Sequence, residues 1–407
     1  MPQDLAELSR FLYSPVTLLL YVAATGANLY ALTARAAPEG SRSGRVLPGT
    51  RAQQLGIVLA VLAVVAHIAH EVVRGIAQQR LPLGNMFEFS SAMALTGAIA
   101  GIVYLVVIRK RPELLGFVML GATLVVGSAM LAYSDPGPLQ PILDTWWRSF
   151  HVSIIVAAAG ILTVGFVFTA LYLLRDTAER YVAEGRSAVT SGSTVGAAHV
   201  SDLTSADDAS SVDERVAPDT LGDAAPGDTV VQTSDAAAYR VALRRGISAP
   251  KLAIGTFLGT STVSWIYIAT PTLDLSTGIQ RFLTINLTLV AAALLSRWFV
   301  GFLPPAATLD NLAYRTIALG FFAWTFGVIA GAMWAEQSWG RFWGWDPKET
   351  GSFLTWVAYA AYLHARATRG ARGRSAGWIG LWAFAVLMFA YQGVNLVIVG
   401  LHSYAGL

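Results

Sequence analysis

The 407 residues contain no cysteine, which excludes disulfides, thiolate metal sites and a thiol nucleophile supplied by this chain. Charge is scarce as well. Only 13% of residues are Asp, Glu, Lys or Arg, against 55% hydrophobic, whereas about a quarter of a soluble domain is charged. The net charge of +3 is small, and the arginines fall in short connections where membrane orientation is decided. No nucleic-acid partner is expected. Before Leu18 the N-terminus has neither a basic n-region nor a small-residue cleavage motif, so the first apolar run is expected to be a retained helix.

What the chain has in abundance is apolar runs of about 20 residues, long enough to cross the ~30 Å hydrocarbon core as helices. Backbone groups in lipid must be bonded internally, and these runs are too long for barrel strands. The expected fold is all-α: a polytopic transmembrane helical bundle of about ten spans. Candidate spans cover 12–34, 55–77, 87–108, 114–133, 151–174, 252–271, 281–300, 315–335, 350–366 and 377–399. Residues 1–174 then hold about five N-terminal helices and 251–407 the C-terminal ones. Between them, 175–250 is rich in Ala, Ser, Thr, Gly and Asp and is expected to be a disordered acidic cytoplasmic linker. His199 within it reads as an ordinary solvated histidine.

Basic residues set the orientation. Arg35, Arg42, Arg45 and Arg51 share one connection, Arg109, Lys110 and Arg111 a second, and Arg366, Arg369, Arg372 and Arg374 a third. With ten alternating helices all three fall on one face, which the positive-inside rule makes cytoplasmic. Both termini and the segment 334–349 then lie on the extracytoplasmic face. The two spans between Lys251 and Pro304 count as a pair: losing both preserves this topology, whereas losing one inverts everything after it.

The segment 334–349, W-A-E-Q-S-W-G-R-F-W-G-W-D-P-K-E, concentrates more aromatic surface than a connector needs. Two histidines are expected at the same membrane edge: His151, opening a helix after Trp146-Trp147, and His402 in G-L-H-S-Y. Two imidazoles beside indole rings could be the axial ligands of a haem; the alternative is an interfacial aromatic belt with two cheaply hydrated histidines. His364 falls about 14 residues into its helix, roughly 21 Å down at 1.5 Å per residue. It is either an intramembrane functional group or a side chain snorkelling toward Arg366. His67 and His70 share a helix face with Glu71 nearby, and packing with hydrogen bonding is the favoured reading there. Glu88 suits a helix start. Asp346, Pro347 and Glu349 form an N-cap, first-position proline and capping-box carboxylate.

W-G-R-F-W-G-W-D-P-K-E-T resembles the tryptophan-rich "WWD" signature of haem-handling proteins in cytochrome c maturation. Within them the chain is similar to the CcsA/ResC type subunit of the System II synthase. L-D-N-L-A-Y-R, A-L-G-F-F, G-A-M-W-A-E, Y-L-H-A-R and G-V-N-L-V-I-V-G-L-H-S-Y read like that family's C-terminal half. P-L-G-N-M-F-E resembles its P-L-S-N-L-Y-E element, and L-Q-P-I-L-D-T-W-W-R-S-F-H-V its W-L-x-x-H-V element. The likeness runs from Leu81 to Tyr404, apart from the acidic linker and the 252–300 pair; Phe87 stands where Tyr is common.

The resemblance implies a multi-pass plasma-membrane protein that receives haem b from the cytoplasmic side. It presents the haem externally for attachment to the C-x-x-C-H motif of an apocytochrome c, alongside a ResB/Ccs1-like membrane subunit. It also implies His151 and His402 as axial ligands and His364 as a transit ligand. Trp339, Trp343, Trp345 and Asp346 would form the haem platform. A haem exporter without ligation activity and a bis-histidine electron carrier are the competing readings. The electron carrier fits less well, because it would pair histidines on facing helices inside the membrane.

Overall fold

A computed structural model describes residues 2–35, 49–137, 145–185, 228–368, 373–398 and 400. Nine of its helices are long and apolar enough to cross a membrane: α1 (Asp4–Arg35), α2 (Gly49–Gln78), α3 (Met86–Ile108), α4 (Pro112–Ala132), α5 (Trp146–Ala183), α7 (Ala249–Ala269), α8 (Leu275–Trp298), α9 (Ala306–Trp339) and α11 (Arg374–Leu396). Two more complete the set, α6 (Asp228–Arg245) and α10 (Pro347–Ala367). The polytopic helical bundle is as expected.

The tenth expected span is α10. Lys348, Glu349, His364 and Arg366 dilute its hydropathy, but its pairing shows that it runs the depth of the bundle. Trp324 Nε1 of α9 donates to the Ser352 carbonyl at 3.1 Å, and Trp356 Nε1 donates to Thr325 Oγ1 at 3.0 Å. At the far end Arg366 meets Asp310 at 2.6 Å. The contacts progress in opposite directions along the two helices, so α9 and α10 form an antiparallel hairpin.

The centre of the bundle is the antiparallel pair α5 and α9, which approach through glycine. A Cβ at Gly320 would meet Leu162 at 2.7 Å, one at Gly327 would meet Ile155 at 2.5 Å, and Gly165 faces Ile317 at 2.6 Å. Small residues let backbones close up where lipid supplies no hydrophobic drive between helices. Alongside, α3 runs parallel to α5, with Gly97 against Gly160 and Thr96 Oγ1 donating to the Val156 carbonyl at 3.3 Å. The α4 helix runs antiparallel to α1, with Gly116 on Leu29 and Thr25 beside Thr123. Consequently the ends carrying Arg35, Arg109–Arg111, Arg366 and Arg374 lie together. The starts of α3, α5 and α10 lie at the opposite end.

The expected 175–250 linker is helical at both margins. There α5 continues to Ala183 because Arg175, 5% exposed, donates to the Val300 carbonyl at 2.8 Å and pairs with Glu179 at 2.6 Å. The following helix α6 returns with Arg244 over the Trp298 ring at 3.4 Å. Residues 186–227, with His199, lie outside the described residues. The α7–α8 pair is present and is joined by Asn286, whose amide donates to Ser264 Oγ at 2.6 Å and whose carbonyl accepts from Thr260 and Ser261.

His67 and His70 are fully buried. His67 sits between Tyr21 OH (3.1 Å) and Ser91 Oγ (2.8 Å), and His70 bonds Ser9. No group of three or more His, Asp and Glu suited to a metal ion occurs among the described residues. One turn further on, Glu88 is held by Arg74 at 2.8 Å, Arg80 at 2.9 Å and the Gly84 amide at 2.6 Å. Its role therefore extends beyond a helix start: it ties α2 to the loop before α3.

Candidate haem pocket at one end of the bundle

Three helix starts surround a cavity of about 200 Å³ at the end opposite the arginine clusters. Each start is capped by its own sequence. Asn85 accepts the Glu88 amide at 2.9 Å, Thr145 accepts the Arg148 amide at 3.3 Å, and Asp346 with Glu349 completes a capping box. The walls are mainly aromatic and aliphatic, with Phe89, Trp324, Trp334, Phe342, Trp343 and Tyr391 among them. Tyr391 comes from a π-helical turn, Phe389–Gly393; it stacks on Phe89 at 4.5 Å and donates to the Met86 carbonyl at 2.7 Å.

His151 lines this cavity. Its Nδ1 lies 2.7 Å from the Gly327 carbonyl. A carbonyl only accepts, so Nδ1 carries the proton and, in the neutral ring, the lone pair sits on Nε2. Metal-ligating histidines are oriented by such a bond. The ring stacks on Trp334 (centroids 6.0 Å, planes 22° apart) and rests on Gly331, where a Cβ would come within 2.7 Å of it. Trp334 is therefore a wall of the site, although the sequence places it at a helix end.

Helix α9 stops at Gly340, which takes the left-handed conformation (φ +68°). The loop that follows is built around Glu349. Its Oε2 accepts the amides of Gly344 at 2.7 Å and Asp346 at 3.1 Å, so both neighbours of Trp345 are gripped. Trp345 is left at φ +58°, a conformation costing a non-glycine residue about 1–3 kcal/mol. Its ring is turned outward, 67% exposed, edge-on to Trp343 at 5.8 Å. The Arg341 guanidinium occupies the space a side chain at Gly344 would need.

The expected platform residues thus have separate positions. Trp343 lines the cavity, Trp345 stands edge-on to Trp343 outside the lining, and Trp339 backs Trp334 at 5.1 Å. Asp346 is buried and caps α10, accepting the Lys348 amide at 3.2 Å. Gly400 packs against Asp346 and Pro347; His402, two residues on, lies outside the described residues. His364 lies some 15 residues along α10 from Glu349, roughly 22 Å away, exposed on the outside of the bundle. The structure does not bring it near His151.

Arg148, Lys348 and Tyr391 line the cavity without having been singled out in the sequence. Arg148 donates to the Leu83 carbonyl at 3.0 Å. Lys348 precedes the membrane-crossing stretch of α10. Desolvation pulls its ammonium down to about 8, against the upward pull of the Asp346 carboxylate. The D-P-K-E spelling was the available signal for Lys348, and the cap roles of its neighbours Asp346 and Glu349 masked it.

These features define a polytopic helical membrane protein with an aromatic pocket at one end that holds an oriented imidazole. Residues 58–402 match the family described as "Cytochrome C assembly protein", and the chain belongs to that family. It is 30% identical over 367 residues to "Cytochrome c biogenesis protein CcsA" of Microcystis aeruginosa, covering 88% of each chain. The protein of that name from Gloeobacter violaceus is 30% identical over 363 residues, covering 87% of each. That of Trichormus variabilis reaches 54% over 99 residues, 24% of this chain and 28% of the relative.

Proposed function

We propose that this protein delivers haem b and presents it on the extracytoplasmic face of the plasma membrane for attachment to C-x-x-C-H motifs of apocytochrome c. It acts as the haem-handling subunit of a System II synthase with a ResB/Ccs1-like partner. The observation that carries this reading is His151, which lines a cavity walled by tryptophans and whose Nδ1 donates to the Gly327 carbonyl. The cavity accepts one edge of a macrocycle, and Phe342 and Trp345, 56% and 67% exposed, offer apolar surface to the remainder. His402 supplies the second imidazole, which an incoming C-x-x-C-H histidine replaces. The arginine-rich opposite end supports an extracytoplasmic reading of the pocket end. His364, facing outward on α10, serves haem in transit beside the partner subunit.

The chain supplies orientation, and the bond chemistry belongs to haem and thiols. Each thiol adds across a vinyl group: sulfur bonds one carbon, the thiol hydrogen ends on the other, and nothing is oxidised. That step needs no cysteine from this protein.

Co-expression with the ResB-like partner and a C-x-x-C-H reporter, scored for covalent haem, tests the reading. Wild type yields product, His151→Ala removes external haem and product, and added imidazole restores both. Absence of covalent product with both membrane proteins inserted refutes ligation and leaves export. Unchanged haem spectra in the His151→Ala/His402→Ala double variant refute the ligand assignment.

A further inference from the structure

An apolar cavity that contains a cation needs an anion from elsewhere. Lys348 lines the pocket, and the nearest carboxylates are already engaged. Asp346 accepts the backbone amide of Lys348 itself, and Glu349 holds two loop amides with Arg341 at 3.6 Å. Three capped helix starts, at Asn85, Thr145 and Asp346, add positive dipole ends around the same volume, and such ends favour carboxylates and phosphates. The walls meanwhile demand a flat apolar body. A ligand meeting both conditions is a tetrapyrrole with carboxylates on one edge.

We propose that Lys348 receives a propionate carboxylate of the haem and so fixes the rotation of the macrocycle about its iron–His151 axis. The inference rests on the haem reading of the pocket. Propionates occupy one edge of haem and vinyls lie away from it, so anchoring the carboxylate edge at Lys348 turns the vinyl carbons away from that residue and leaves them for the incoming thiols. Lys348 is a positioning residue; it touches the substrate but no reacting atom. The lowered ammonium fits this role: desolvation outweighs the pull of Asp346, and a bound carboxylate relieves it.

The test compares ferric haem with its dimethyl ester, in which both carboxylates are masked, by absorption titration of the purified full chain. Wild type is expected to bind the ester on the order of tenfold or more weakly than haem, the loss of a charge-assisted hydrogen bond. In Lys348→Met haem falls to the affinity of the ester, the ester is unaffected, and Lys348→Arg keeps the preference. Equal binding of both pigments by wild type, which requires no variant, overturns the inference, as does an equal loss for both in Lys348→Met. Equal binding with a His151-dependent spectrum removes this inference alone. If wild type binds neither pigment, or binds unchanged after His151→Ala, the haem reading fails and takes the inference with it.

Discussion

Gly331 and His151 fit each other so closely that a Cβ on the glycine would stand 2.7 Å from the imidazole Cε1 and 2.9 Å from Nδ1. The glycine therefore sets where the ring can lie, and the Gly327 carbonyl one turn earlier on α9 sets which nitrogen carries the proton.

Gly331→Ala is expected to insert normally and to displace the ring, weakening the Nδ1 bond to Gly327. Haem co-purifying with the chain falls several-fold, and its absorption bands shift toward a mixed or open ligand state. Added imidazole restores the bands, because a free ring does not need the Gly331 space. Wild-type spectra in this variant would show that His151 is not a ligand.

Arg74 and Glu88 form an ion pair with both side chains fully buried. Removing one partner strands the other charge, at a cost of about 3–5 kcal/mol. Arg74→Met is expected to lower the thermal midpoint in detergent clearly, and Arg74→Met with Glu88→Gln to recover part of the loss. Fluorescence-monitored melting checks this; a melt matching wild type for Arg74→Met would show that Arg80 alone satisfies Glu88.

Glu349 grips the amides on both sides of Trp345. Glu349→Gln keeps the shape but loses the charge that strengthens two hydrogen bonds, each worth about 1.5–3 kcal/mol when charged. The left-handed Trp345 then relaxes. Tryptophan emission and protease sensitivity of the 341–346 loop should change while the melting of the bundle does not.

Haem affinity should fall as pH rises through about 8. Lys348 is charged below that value and neutral above it, so its carboxylate contact is present below and lost above. The slope is at most about tenfold per pH unit. The groups facing the pocket from the other elements are Arg148 and His151 from α5, Arg341, Asp346 and Glu349 around the loop, and Tyr391 from α11. Titration between pH 7.5 and 9.5 should be steeper in wild type than in Lys348→Met; parallel curves would assign the dependence to another of these groups.

Composition alone determined the class of this protein, because runs of about 20 apolar residues have one common solution in lipid. The cap at Asp346 was legible too, since it is written within four residues. Apolar length also located the α7–α8 pair, and the expected span 350–366 falls within α10.

What the tertiary structure decided is who meets whom. Trp334 looked like a helix end and proved to be the ring stacked on His151. Lys348 was not singled out in the sequence and lines the cavity, and His364 sits at the other end of α10. These relationships depend on helix rotation and on which helices pair, which glycine contacts between residues more than 150 positions apart establish. Local spelling carries the period of a helix, but the direction each face points is settled by its neighbours.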